Sequence, residues 1–334
     1  MASGNSAVEA PHDTHLVRAG SPDLLSLARM DARNHTLQLL ACWEHAMGRG
    51  LAVPREPTLE LPQWIAGHVG WFDEYWIARN PRRGQGSRCP ADAPRLGSIE
   101  PMADRWYHPL LSPHDDRWDL PLPGFADLRA WLMETLERTL ELLDHAAPDD
   151  EGLFFFRAAL FHEDLRGEQL VRQAQSLGLP LPLAAPPAAV LREPLVLPAM
   201  RWQLGAEPGG FVFDVEQWAH EVDVPEFEID AQPVSWGQFV EFVDDGGYDR
   251  EELWRPEGWQ WLEQAAQIDG RRGPRHVDQI GVASGAVLQT LFGRARVLRG
   301  ASFATRARMK SPKFRGFALP ERDDGFTGFR TCAR

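Results

Sequence analysis

The sequence predicts an α+β protein in two parts: a bundle of four helices, then a mixed, loop-rich domain. Three observations predict it. Four segments between residues 21 and 178 repeat their apolar residues at helical spacing. Six prolines in residues 179–198, LPLPLAAPPAAVLREPLVLP, then interrupt any helix. Beyond them the texture changes to short alternating runs, such as Phe211-Val212-Phe213-Asp214 and Val222-Asp223-Val224-Pro225, punctuated by Gly and Trp.

Taken in order, residues 1–20 are polar, without a hydrophobic leader core, and read as a disordered tail on a cytoplasmic protein. The first helix spans Asp23 to Met47, with Ser21 as N-cap and Pro22 at the first helical position. The second runs from Leu61 to Arg79 and stops at Asn80-Pro81, after which a Gly/Pro/Arg-rich connection reaches Pro123. Phe125 to His145 and Glu151 to Ser176 supply the third and fourth helices. The resulting division is a tail over 1–20, a bundle over 21–178, a linker over 179–199 and a second domain over 200–334.

A net charge of -13 and a pI near 5.3 argue against a nucleic-acid or anionic-membrane partner, since both need a basic patch. No apolar run approaches the roughly 20 residues that span a bilayer. Small molecules are the partners this composition favours. Cys42, Cys89 and Cys332 are odd in number and lack paired spacing, so they read as three reduced thiols.

Phe161-His162-Glu163-Asp164-Leu165-Arg166-Gly167-Glu168 is the most informative stretch. Residues at i and i+4 stand one above the other on a helix, so a histidine pair at that spacing converges on one ion. Here Arg166 occupies the second place, and a guanidinium repels a cation. Taken alone, His68 reads as a hydrogen-bonded core histidine rather than a ligand, and Glu163 with Arg166 as an exposed i,i+3 pair. Trp64, Trp71 and Trp76 could stack on a quaternary ammonium, although their helical spacing also suits the core.

Two sets of segments carry a resemblance. FVFDVEQWAHEVDVPEFEIDAQPVSWGQFVEFVDDGGY (211–248) and VLRGASFATRARMKSPKFRGFALPERDDGFTGFRTCA (297–333) resemble the sulfatase-modifying-factor, or formylglycine-generating, superfamily, whose fold is C-type-lectin-like. LPQWIAGHVGWFDEYW (61–76) and FHEDLRGE (161–168) resemble the DinB-like bundle. The two modules in this order resemble the ergothioneine sulfoxide synthase and selenoneine synthase family, and FHEDLRGE with KFRGFALPERDDGFTGFR is most similar to selenoneine synthases. The resemblance implies a non-haem iron(II) enzyme that uses O2 to join hercynine, the trimethylated betaine of histidine, to a selenosugar or thiol donor.

By that resemblance His68 and His162 are iron ligands and Arg166 stands where the third should be. Arg322 matches a position that handles an anionic group of the donor, which a planar guanidinium suits; alone it also reads as a surface ion pair with Asp323 or Asp324. Arg166 would favour a carboxylate in the same cavity. His35 or Asp31 could supply the missing ligand. Phe317 and Ala318 replace a Trp-Asp pair, and the block that the family carries between residues 294 and 295 is missing, so the second domain is read as shortened. The family's active-site Tyr has no counterpart among Tyr75, Tyr107 and Tyr248, which leaves the catalytic residues unknown. The alternative is a catalytically degenerate homologue that binds a small betaine, a carboxylate or a partner.

Overall fold

A computed structural model describes residues 12–181, 183, 190, 192–269, 295–320, 322 and 324–333. Its helices and strands form two compact units. The first contains α1 (Thr14–Ala19), α2 (Pro22–Gly48), α3 (Pro62–Asp73), α4 (Ala103–Tyr107), α5 (Phe125–Asp144) and α6 (Asp150–Ser176).

The long helices start where local chemistry allows. Ser21 Oγ accepts the Leu24 N–H and Pro22 opens α2, while the Asp149 carboxylate accepts the Gly152 N–H at the head of α6. α3 ends by widening into a π turn over Glu74–Ala78, closed by the Arg79 N–H on the Glu74 carbonyl at 2.7 Å. Such turns absorb one extra residue and re-aim the side chains around them. α2 and α3 each pack on α5 and α6. Trp64, Val69, Trp71, Tyr107, Leu128 and Leu132 fill part of the shared core. Gly67 permits the closest approach in it, because a Cβ there would lie 2.1 Å from the Tyr107 ring.

Two later segments, Gly205–Trp218 and Arg299–Arg315, belong to the same unit. Phe211 stacks on Phe161, with ring centres 5.1 Å apart, and its N–H donates to the Arg18 carbonyl at 2.8 Å. Gly210 holds φ +62 with its Cβ position 2.6 Å from that carbonyl, a place only glycine fills. Arg308, fully buried, donates to Asp164 at 2.7 Å and pairs with Asp31 at 2.8 Å. The Ser302 and Thr305 hydroxyls donate to Glu168 Oε1 at 2.8 and 2.9 Å.

The tail expected over residues 1–20 requires correction from Thr14 onward. Asp13 caps α1, Val17 is buried, and Arg18 forms a two-pronged pair with Glu216. Residues 1–11 lie outside the described residues.

The second unit joins strands β1 (Leu195–Leu197), β2 (Met200–Leu204), β3 (His220–Val224), β4 (Phe227–Ile229), β5 (Arg296–Leu298), β6 (Gly316–Ala318) and β7 (Cys332–Ala333) with helices α7 (Trp236–Asp244) and α8 (Pro256–Asp269). The strands pair antiparallel as β1-β4-β7, β2-β3 and β5-β6. The end of the expected linker is therefore strand β1. Ser235 and Gln238 cap α7 reciprocally, and Phe239 stacks on Trp236 and meets Phe329 edge-on. Mixed helix and strand make the chain α+β. Of the residues flanking the expected deletion, 284–294 lie outside the described residues. Among the described residues, no helix is long and apolar enough to cross a membrane.

Candidate functional site

His68 lies mid-way along α3 and is held on three sides. Its ring stacks between Trp64 and Trp71, at centroid distances of 4.9 and 5.2 Å, because those residues are its i−4 and i+3 neighbours. Its Nδ1 lies 2.8 Å from the Tyr107 carbonyl. A carbonyl only accepts, so Nδ1 carries the proton and Nε2 presents the lone pair. The approach permitted by Gly67 sets this contact.

His162, on α6, meets His68 edge to face at 5.0 Å and stacks on Phe72 at 4.0 Å. Arg166 Nε donates to His162 Nε2 at 3.3 Å, and its Nη1 donates to Gln169 Oε1 at 2.8 Å. The proton of His162 therefore sits on Nδ1, which is buried without a partner among the described residues. Burial and then Arg166 hold both imidazoles well below the usual histidine pKa, so both are neutral at pH 7. Burial likewise draws Arg166 down to about 10, which leaves it charged.

α6 is fixed beside this cluster by four buried charges. Arg33 donates to Glu163 at 2.8 Å and to Asp73 at 2.8 Å; Arg29 pairs with the same two carboxylates; and the Thr36 hydroxyl donates to Glu163 at 2.9 Å. Glu163 is thus committed inward. The expected surface pair between Glu163 and Arg166 is corrected: Glu163 is buried against Arg33, Arg29 and Thr36, while Arg166 bonds His162 and Gln169.

The sequence brought His68, His162 and Arg166 to notice, and the fold places them in one cluster. Arg322 lies in the second unit, where its Nε and Nη2 donate to the two carboxylate oxygens of Asp324. Asp31 is taken by Arg306 and Arg308, and burial, followed by Arg306, pulls His35 down to about 4. The tryptophan faces are also in use. The Arg117 guanidinium covers Trp64 at 3.5 Å while bridging to Glu60, and Arg95 lies 4.9 Å from Trp76. Sequence reading missed Tyr107, Gly67 and Arg117, whose contacts are non-local and leave no spacing signal.

An iron(II) site of the non-haem kind needs three protein ligands and open positions. Among the described residues no group of three His, Cys, Asp or Glu side chains converges. The cluster offers two imidazoles, places a cation one turn along α6, and turns one imidazole lone pair toward that cation. Its residues do not fit the metal.

Bundle and cluster together define a protein whose buried polar site is built from imidazole and guanidinium, in a chain of α+β class. No family model matches the chain. Over 250 residues it is 30% identical to the hercynine oxygenase of Mycolicibacterium smegmatis, covering 71% of this chain and 54% of that protein. It is 30% identical to the hercynine oxygenases of Mycolicibacterium thermoresistibile, over 72% of this chain and 53% of that one, and of Mycobacterium tuberculosis, over 73% and 56%. The chain is a relative of these proteins, and it spans about half their length.

Proposed function

We propose that this chain recognises hercynine, on a fold inherited from enzymes that oxidatively join hercynine to a sulfur or selenium donor. The observation that carries the reading is 30% identity to a hercynine oxygenase sustained over 250 residues. In the finer reading the first module is a DinB-like bundle over 21–178, followed by a linker over 179–199 and a C-type-lectin-like sulfatase-modifying-factor domain over 200–334. The wording of FHEDLRGE and KFRGFALPERDDGFTGFR supports a likeness to selenoneine synthases. In that reading His68 and His162 correspond to two iron(II) ligands of an O2-dependent synthase and Arg322 to the residue that handles the donor's anionic group, while Arg166 stands in the third ligand's place.

A second reading is favoured by one contact, Arg166 Nε on His162 Nε2. A buried cation there opposes a divalent ion by direct repulsion and attracts the carboxylate of a betaine. Under it the chain binds hercynine without oxidising it.

Incubation of the full chain with hercynine, a selenosugar or thiol donor, iron(II) and O2, followed by mass spectrometry, separates the two. A carbon–selenium or carbon–sulfur adduct supports the synthase. Bound but unchanged hercynine supports the second reading, and no hercynine bound at all refutes both.

A further inference from the structure

Several buried guanidinium groups in the bundle unit are answered by carboxylates. Arg29 and Arg33 face Asp73 and Glu163, Arg117 faces Glu60, and Arg308 faces Asp164. Arg166 is not among them: its hydrogen-bond partners are a neutral imidazole and an amide oxygen, and among the described residues no carboxylate pairs with it. Glu60, the acid whose charge it feels most, is already bridged to Arg117. Part of the Arg166 surface remains open. A cation removed from most of its water and without a counterion is costly, and a carboxylate oxygen is the partner that its N–H groups match best.

We infer that Arg166 makes this cluster a receptor for a small carboxylate in place of a divalent metal. Arg166 supplies charge and N–H donors on Nη1 and Nη2, while its Nε holds His162 in the tautomer that places a proton on the buried, unpartnered Nδ1. A metal would require the opposite arrangement, with lone pairs turned inward and no fixed cation beside them. The inference holds whichever carboxylate the cell provides, so it is separate from hercynine as the ligand.

The test uses the full chain, benzoate as the carboxylate probe, benzamide as its neutral isostere, and cobalt(II) as a metal whose absorption reports imidazole ligation. Wild type is expected to bind benzoate saturably and at least roughly tenfold more tightly than benzamide, the discrimination expected of one charge-assisted pair. It is expected to give no histidine-dependent cobalt absorption. Arg166→Gln should lose the preference for benzoate, and Arg166→His should exchange it for cobalt binding. Circular dichroism checks that each variant folds. The Arg166 Nε–H resonance of the wild type, followed by NMR during benzoate addition, decides the matter without any substitution. Equal affinity for benzoate and benzamide, an unmoved Arg166 resonance, or a wild-type cobalt spectrum abolished by His68→Ala would each overturn the inference.

Discussion

Arg166 and His162, one turn apart on α6, share a hydrogen bond of 3.3 Å from Nε to Nε2. That bond fixes the imidazole tautomer, sets a positive charge beside two neutral rings, and occupies the lone pair that a metal would use. The chemistry available to the cluster follows from this pair and from His68 against Tyr107.

The buried histidines make stability depend on pH. Burial, reinforced by Arg166, lowers His68 and His162, and burial, reinforced by Arg306, lowers His35 to about 4. A histidine lowered in the fold stays neutral there while the unfolded chain takes up a proton. Stability is therefore full above the unfolded pKa of about 6.5 and falls as pH drops toward about 4. Each histidine contributes up to about 1.4 kcal/mol per pH unit across that window. Urea unfolding between pH 7.5 and 5 should show the decline, and His35→Gln should make it shallower; a flat profile would contradict the burial of these rings.

Gly67→Ala is expected to destabilise the bundle by about 2–3 kcal/mol, because the new methyl group would lie 2.1 Å from the Tyr107 ring. Denaturant midpoints measure it. The variant should also weaken ligand binding, since displacing Tyr107 releases the carbonyl that orients His68.

Arg33→Met should cost about 3–5 kcal/mol, the penalty for leaving a buried carboxylate uncompensated. Arg33→Met with Glu163→Gln should recover part of that loss, and a double-mutant cycle by chemical denaturation reads the coupling. Strict additivity would show that the charges beside His162 act independently.

How much of this was legible in the sequence depended on the range of the interaction involved. Ser21-Pro22, Asn80-Pro81 and the amphipathic run from Phe125 are local signals, and the helices begin and end close to where those signals place them. His162 and Arg166 were legible because helical spacing alone brings them together. Arg29 and Arg33 were not: on α2 they read as ordinary charged residues, and their partners lie 44 residues away at Asp73 and 130 residues away at Glu163. The same holds for Arg308, which crosses 144 residues to reach Asp164, and for α1, which is tied to distant segments through Arg18 with Glu216 and Phe211 and through Thr14 with the Ala307 and Lys310 carbonyls, contacts that no local pattern announces.

Calorimetric titration of hercynine into metal-free, full-length protein tests the central claim most directly. Saturable binding at one site per chain, weakened roughly tenfold or more by Arg166→Gln, is the predicted result. A folded chain that gives no heat with hercynine, or binds it equally well without the Arg166 guanidinium, would contradict the account.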